Sequence, residues 1–180
     1  ADQQRTSLYV EAIRQRLAEH PPGTMTVLDI GTGPFAVLAL NAAAAGAKKV
    51  YCIEANRDAA ERARQEIEWA SAQIHPCEVE VFEGFSTDVE LPEKVDLLVT
   101  EIAGSVASEE GLYATIRDAH RFMKKPHEPS SYIPFAYQTL GAPAVDMVHH
   151  SGGADPTRNF LRVEADDTTL QLLADPILVE

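Results

Sequence analysis

Carboxylates and glycines follow the predicted strands of this 180-residue chain at positions where they can bind a ligand. The segment 27–35, VLDIGTGPF, runs from an apolar strand into Gly31 and Gly33, with Asp29 just before the turn. Glycines at such a turn let the backbone approach a ligand closely. The next predicted strand ends at Glu54, an acid suited to two hydrogen bonds with the hydroxyls of a ribose. The pattern indicates a ligand that contains a nucleoside.

Asp29 distinguishes two ligands, NAD and S-adenosylmethionine, that the glycine pattern fits equally well. Gly31, Gly33 and Ala36 also satisfy the dinucleotide pattern G-x-G-x-x-G/A, so their spacing alone decides nothing. A carboxylate beside the turn would repel the pyrophosphate of NAD, whereas S-adenosylmethionine has no phosphate and carries a sulfonium and an ammonium. Asp29 therefore favours S-adenosylmethionine, unless its carboxylate only hydrogen-bonds to amides of the loop.

A second group of acids lies in the segment 100–110, TEIAGSVASEE, after the fourth predicted strand. Glu101 ends that strand, and Glu109 and Glu110 begin the predicted helix that follows. Acids at a helix N-terminus are favoured by the helix dipole alone, so Glu109 or Glu110 could have only that role. Glu101 has no such structural reason, and it can face an acid at the start of the helix.

The elements that must position these residues alternate between strand and helix. Strands are predicted at 25–30, 50–54, 78–83 and 95–101, and helices at 8–17, 35–45, 57–71 and 109–124, with Pro34 in the first turn of the second helix. Further strands are expected within 131–142 and in the tail after residue 159. This order predicts an α/β fold with a parallel twisted sheet and flanking helices. Ligands of such sheets bind outside the carboxyl ends of the strands.

Composition narrows the partners and the compartment. The formal net charge of −13 argues against binding to nucleic-acid phosphates and suits a basic partner. No apolar run approaches the roughly 20 residues that span a bilayer, so no membrane role is expected. Cys52 and Cys77 form no CxxC motif, which indicates reduced thiols in a cytoplasmic or nuclear protein. The adjacent His149 and His150 do not by themselves predict a metal site.

In order and spacing, the motifs resemble those of the protein arginine methyltransferase family. Four segments carry the resemblance: DQQRTSLY at 2–9, similar to the family's D-x-x-R-T-x-x-Y; VLDIGTGPF as its cofactor loop; VYCIEAN at 50–56 as its ribose-binding strand end; and EIAGSVASEE at 101–110 as its hairpin of two catalytic glutamates. The resemblance implies a Rossmann-like S-adenosylmethionine-dependent methyltransferase fold. The implied reaction is methyl transfer to the guanidinium nitrogens of arginines in proteins.

The resemblance also implies roles for single residues. Glu101 and Glu110 are implied to hold the substrate guanidinium as the catalytic pair. Arg5 is implied to bind the carboxylate of S-adenosylmethionine, Glu54 its ribose, and Ser86 and Thr87 to lie near its adenine. The full set implied to contact the cofactor is Arg5, Asp29, Gly31, Thr32, Gly33, Glu54, Ser86, Thr87 and Thr115.

The resemblance further predicts the domain organisation. We expect an N-terminal helix over the cofactor site at 1–24, a Rossmann-like methyltransferase domain at 25–140, and the start of a C-terminal β-barrel for substrate binding at 141–180. Because only the first strands of the family's barrel are expected, the chain looks like a catalytic core or a truncated relative. Its expected partners are an arginine-rich protein substrate and, in the full-length protein, a second copy of itself.

Three other interpretations remain open from the sequence. The chain could be a methyltransferase for small molecules or for other protein sites, or an NAD-dependent oxidoreductase. It could also be a non-catalytic, cofactor-binding regulatory domain. Phe35, in place of the small residue usual in the cofactor loop, indicates a differently shaped adenosyl side.

Overall fold

A five-stranded parallel sheet forms the centre of the first of two units, Ala1–Tyr137 and Gln138–Glu180. The computed structural model describes residues 3–74, 76–104, 110–146 and 170–179. The strands are β1 (Thr26–Ile30), β2 (Lys49–Glu54), β3 (Glu78–Glu83), β4 (Leu97–Thr100) and β5 (Tyr132–Ile133). Their order in the sheet is β3-β2-β1-β4-β5, and all neighbours are parallel. The predicted α/β class with its parallel sheet is confirmed.

The strand order reverses at β1. The chain adds β2 and then β3 on one side of β1, and then returns to place β4 on the other side. Crossovers that leave β1 in opposite directions open a crevice at the carboxyl ends of β1 and β4. The Thr100 side chain donates a hydrogen bond of 2.8 Å to the carbonyl of Ile30, which joins these two strand ends.

Both faces of the sheet are covered by apolar side chains. On β1, Val27 packs into one core with helices α1 (Gln3–Ala18), α2 (Val37–Ala44) and α3 (Arg57–Ile74). Leu28 and Ile30 point to the other core, which contains Phe122 and Met123 after helix α4 (Leu112–Ala119). Every residue of β1 is buried, as expected for a central parallel strand covered on both faces.

Two helices begin later than the sequence predicts. Helix α2 was expected from residue 35 with Pro34 in its first turn, but it begins at Val37, because Ala36 takes a left-handed conformation (φ 46°). Helix α4 was expected over 109–124, but Gly111 is left-handed (φ 79°) and the helix begins at Leu112. It ends at Ala119, and a short 3-10 helix follows at His120–Phe122. Glu110 therefore lies outside the helix, and Glu109 lies outside the described residues.

The remaining predicted elements differ mainly in length. Helix α1 begins at Gln3 rather than residue 8, and α3 extends to Ile74. Strand β4 is shorter than predicted, since Val95 forms only an isolated bridge with Met123. The strand expected within 131–142 is divided into β5 and β6 (Leu140–Gly141). No helix in the described ranges is long and apolar enough to cross a membrane.

The second unit contains two antiparallel strand pairs in its described part. Strand β6 pairs with β9 (Ile177–Leu178), and β7 (Ala144–Asp146) pairs with β8 (Leu170–Leu172). His149 and His150 lie outside the described residues. The β-barrel expected from residue 141 onward stays a prediction.

Replacing Gly31 by alanine should destabilise the fold more than the same change at Gly33. Both glycines are left-handed (φ 78° and 67°), so each Cβ strains the backbone. At Gly31 the new Cβ would also clash with Cγ2 of Ile102, whereas at Gly33 it would have no atom of the described residues within 4 Å. We expect losses of about 1–2 kcal/mol for Gly33→Ala and roughly 2–5 kcal/mol for Gly31→Ala in urea unfolding. Equal losses would show that Ile102 yields to the added methyl group.

Candidate active site

The predicted site residues converge at the carboxyl edge of the sheet. Asp29 lies in β1 just before the glycine turn, Glu54 ends β2, and Glu101 follows β4. Two cavities lie at this edge, with volumes of about 220 and 360 Å³. Together they fall within the range of about 300–1,000 Å³ that is usual for sites of small ligands. Gly31 and Glu101 border both cavities, so the two are neighbouring parts of one site.

The first cavity lies between helix α1 and the glycine turn. Arg5, Thr6 and Tyr9 line it from α1, at spacings that place them on one side of the helix. The turn and α2 supply the opposite wall, together with Glu101; these residues are Asp29, Gly31, Thr32, Gly33, Val37 and Leu38. Among the described residues of this lining Arg5 is the only basic one, and Asp29 and Glu101 are the two acids.

The amides of the glycine turn are already used inside the protein. The N–H groups of Gly31 and Thr32 donate to the carbonyl of Ile53, at 2.9 and 3.4 Å. The N–H of Gly33 donates to Oε2 of Glu54 at 2.8 Å. Turns that bind a pyrophosphate offer these donors to its oxygens. In this chain they are occupied, and the group that holds Gly33 is itself an anion.

Asp29 is a buried carboxyl with an unused acceptor. Only 1% of the residue is exposed, and its Oδ2 has no hydrogen-bond partner among the described residues. Burial raises the pKa of Asp29 from 3.8 to about 7, which hydrogen bonds from Thr32 and from the Ala39 backbone only partly offset. Such an oxygen at a cavity wall suits a ligand that brings a hydrogen-bond donor with positive charge.

Glu54 accepts hydrogen bonds from the backbone of two loops. Its Oε1 accepts from the N–H of Asn56 at 2.8 Å, and its Oε2 accepts from Gly33. Each carboxylate oxygen can accept a second hydrogen bond, and Glu54 lines the second cavity. Two acceptors at the end of β2 therefore remain available for two neighbouring hydroxyls of a ligand.

The second cavity lies between the loop after β3 and helix α4. Gly84, Phe85 and Ser86 line it from the loop, and Thr115 lines it from the helix. Glu101 and Glu110 both border it, so the structure brings the two predicted catalytic acids around one space. Thr87 does not line either of these cavities; it is exposed, and its hydroxyl contacts Asp88 at 3.2 Å.

A guanidinium already lies against Glu101. Nη1 of Arg5 lies 3.0 Å from Oε1 of Glu101, and the side chains are 51% and 30% exposed. Charge-assisted pairs of this kind are directional, because the planar fork of arginine matches the two carboxylate oxygens. The contact demonstrates that the carboxylate of Glu101 is accessible to a guanidinium from the side of the first cavity.

Two tyrosines fix the backbone just before Glu101. The hydroxyls of Tyr9 and Tyr137 donate to the carbonyl of Thr100, at 3.2 and 3.1 Å, and lie 3.3 Å from each other. Burial raises the pKa of both tyrosines, so both stay protonated at neutral pH. The end of β4 is thereby tied to α1 and to the segment after β5.

Several lining residues were not found by sequence reasoning. Tyr9 was visible as the last residue of the D-x-x-R-T-x-x-Y match, and its helical spacing from Arg5 could have placed it in the site. Phe85 and Ile102 carry no sequence signal, because their contacts depend on how the loops fold over the sheet.

Cys52 and Cys77 are free and buried, and burial raises the pKa of both thiols. Among the described residues no cluster of His, Cys, Asp or Glu could hold a metal ion.

Known protein families match most of the chain. The family model of PRMT5 arginine-N-methyltransferase matches residues 1–130. Protein arginine N-methyltransferase PRMT10 of Arabidopsis thaliana is 37% identical over 126 residues, which are 70% of this chain and 31% of that protein. Histone-arginine methyltransferase CARMER of Drosophila mojavensis is 36% identical over 126 residues, which are 70% and 22% of the two chains. The chain thus spans less than a third of the length of these relatives.

Solved structures agree with the sequence matches. Arabidopsis thaliana protein arginine methyltransferase 10, crystallised in an open conformation, superposes with a TM-score of 0.60 at 37% identity, over 68% of this chain and 34% of that one. A Trypanosoma brucei PRMT1 enzyme-prozyme heterotetrameric complex with AdoHcy gives a TM-score of 0.58 at 25% identity, over 71% and 37%. The central sheet and its helices therefore have the Rossmann-like methyltransferase fold. The chain belongs to the protein arginine N-methyltransferase family.

Proposed function

We propose that this chain is the cofactor-binding and catalytic core of an enzyme that transfers methyl groups from S-adenosylmethionine to arginines in proteins. The residues of the two cavities fit this cofactor. Its carboxylate suits Arg5, its ammonium suits the unpaired oxygen of buried Asp29, and its ribose suits Glu54. It has no phosphate, and the amides of Gly31, Thr32 and Gly33 are not free to hold one.

The observation that carries the proposal is the position of Glu101 between the two cavities. It borders both, and it already accepts a guanidinium at 3.0 Å. Glu110 lines the second cavity with it. Family membership supports the assignment of arginine as the methyl acceptor. Binding of Arg5 to a cofactor carboxylate would turn its guanidinium away from Glu101, and the guanidinium of a substrate arginine would take that place.

The chemistry asks the protein mainly for positioning. S-adenosylmethionine supplies, when bound, a methyl group on a sulfonium. Arginine is a poor nucleophile because its guanidinium is protonated and its lone pairs are delocalised. Glu101 and Glu110 would accept N–H groups of the guanidinium, draw positive charge toward one terminal nitrogen and direct the other at the methyl carbon. Transfer would leave the sulfur of the cofactor as a neutral thioether, and the methylated guanidinium would give its surplus proton to water.

The proposed partners follow from charge and from family. The net charge of −13 suits an arginine-rich protein substrate and disfavours direct contact with nucleic acid or an anionic membrane surface. We also propose a homodimer for the full-length protein and a cytoplasmic or nuclear location. Relatives named histone-arginine methyltransferases support the location, because histones occur in these compartments. Ser86, Thr87 and Thr115 remain proposed contacts on the adenosyl side.

Glu101→Gln and Glu110→Gln should each abolish methyl transfer while leaving cofactor binding nearly intact. The glutamine keeps the side-chain shape but cannot draw charge across the guanidinium, so the rate should fall at least about 100-fold. Radiolabelled methyl transfer to an arginine-rich peptide measures the rate. The enzyme in this assay is the longest natural polypeptide that contains Glu101 and Glu110. Calorimetry with S-adenosylhomocysteine is the control. Full activity in either variant would refute the assignment of the pair, and a loss of cofactor binding as large as the loss of activity would assign these acids to the cofactor site.

Glu54→Gln should weaken S-adenosylhomocysteine binding by roughly 1.5–3 kcal/mol, the scale of hydrogen bonds to a charged group. The amide keeps only one acceptor oxygen, so it cannot serve Asn56, Gly33 and a ribose together. Glu83→Gln is the matched control, because Glu83 ends the neighbouring strand β3 and lines neither cavity. Unchanged affinity in Glu54→Gln by calorimetry would remove Glu54 from the ribose site.

Binding of S-adenosylhomocysteine should strengthen as the pH rises from about 6 to about 7.5. The carboxyl of Asp29, with its pKa of about 7, must lose its proton before it can pair with the ligand ammonium. Above about pH 8 the ligand amine begins to lose its own proton, and the gain should stop. Asp29→Asn should flatten this dependence and lower the affinity at pH 7.5.

The same substitution should stabilise the ligand-free chain. Folding raises the pKa of Asp29 from 3.8 to about 7, so the folded state binds the extra proton. Its contribution to the free energy of unfolding therefore falls between about pH 4 and pH 7 and stays low above that. Relative to the wild type, Asp29→Asn should gain stability across this window in urea titrations. An identical pH dependence of both binding and unfolding in the two proteins would show that Asp29 does not titrate near neutrality.

A further inference from the structure

Arg121 lies outside both cavities, yet it contacts the loop that forms one wall of the second cavity. Its Nη2 donates to the carbonyls of Ser86 and Val89, both at 2.6 Å. Ser86 is the first residue of the short 3-10 helix Ser86–Asp88, and Val89 directly follows that helix. The carbonyls of so short a helix have few partners within it. One guanidinium nitrogen therefore holds both ends of this turn.

The rest of the Arg121 side chain is held by three further groups. Nε donates to Oδ1 of Asp118 at 3.1 Å, and Nη1 donates to Oε1 of Glu90 at 2.8 Å. The guanidinium carbon lies 4.1 Å from the ring centre of Phe122, which is 3% exposed. A planar group with donors on every nitrogen can satisfy all these partners at once, which a lysine cannot. With 32% of its side chain exposed, Arg121 is anchored much more firmly than a surface residue in a single ion pair.

These contacts join the two walls of the second cavity. Thr115 lines the cavity from α4, and Asp118 lies one turn later on that helix. Ser86 lines it from the opposite loop. Because Arg121 bonds to Asp118 and to the backbone of Ser86, it sets the distance between the helix and the loop. A loop residue can read the edge of a flat base only if its distance from the opposite wall is fixed.

We propose that Arg121 is a positioning residue that fixes the 3-10 turn Ser86–Asp88 against α4 and so determines selectivity for adenine in the cofactor. The proposal rests on the proposed function, since it assumes that the adenosyl group binds in the second cavity. Arg121 does not touch the ligand; it acts through the backbone of Ser86. Loss of Arg121 leaves the methionine side of the site, at Arg5 and Asp29, in place.

Calorimetry with S-adenosylhomocysteine and its inosine counterpart, in which an oxo group replaces the amine of the base, tests this role. We expect the wild type to prefer the adenine form by about tenfold, and Arg121→Gln to weaken its binding by about tenfold and to reduce the preference to roughly threefold or less. Arg5→Ala should weaken both ligands by the same factor, because it acts at the other end. Arg117→Gln, an exposed arginine one turn earlier, should change neither affinity.

The possible outcomes separate the two proposals. A preserved preference in Arg121→Gln overturns the positioning role, even if both affinities fall, because a merely structural residue would lower both equally. A wild type without preference between the bases also overturns it. A wild type that binds neither ligand overturns the proposed function together with this role. If Arg121→Gln does not fold, as judged by circular dichroism, Arg121→Lys decides by the same ratio, because it keeps the charge but cannot bridge both carbonyls and Asp118.

Discussion

The buried carboxyl of Asp29 is the constraint on which the site depends. It stands near the carboxyl end of the central strand, 1% exposed, beside a core of apolar side chains from the sheet and three helices. Burial holds its pKa near 7, so the ligand-free fold bears a group that is costly to ionise. Functional sites commonly retain such unfavourable groups because a ligand relieves them. A cationic group of a ligand in the first cavity would relieve this one.

The glycine turn and Glu54 also disfavour a ligand with a pyrophosphate. In dinucleotide-binding turns the backbone amides face the ligand, whereas here they face Ile53 and Glu54. The cavity walls thus present carboxylates where a phosphate would need donors. Arg5 supplies a positive charge that suits the carboxylate of the ligand. Its ion pair with Glu101 places this charge next to the proposed position of the substrate arginine. Arg5, Asp29 and Glu54 would thus suit the carboxylate, the ammonium and the ribose of the proposed cofactor.

The sequence predicted the parts that depend on local pattern and on sheet geometry. Buried apolar runs identified β1 and β2, and the shared carboxyl edge of parallel strands brought Asp29, Glu54 and Glu101 together. The left-handed conformation of Ala36 was not predictable, since alanine rarely adopts it. The partners of Arg121 were hidden too, because Ser86 and Val89 lie more than thirty positions away in the chain. Such contacts depend on where the folded loops meet, which no periodicity records.

The glycine pattern allowed two ligands, S-adenosylmethionine and NAD. A comparison of binding by the two ligand classes tests most directly whether the carboxylates select the cofactor. Calorimetry of the 180-residue chain at pH 7.5 should give micromolar affinity for S-adenosylhomocysteine, about −8 kcal/mol, since the implied contacts from Arg5 to Thr115 lie within it. NAD should show no heat of binding at about 1 mM, which corresponds to about −4 kcal/mol. Binding of NAD as tight as that of S-adenosylhomocysteine would contradict selection by Asp29 and by the occupied amides of the turn.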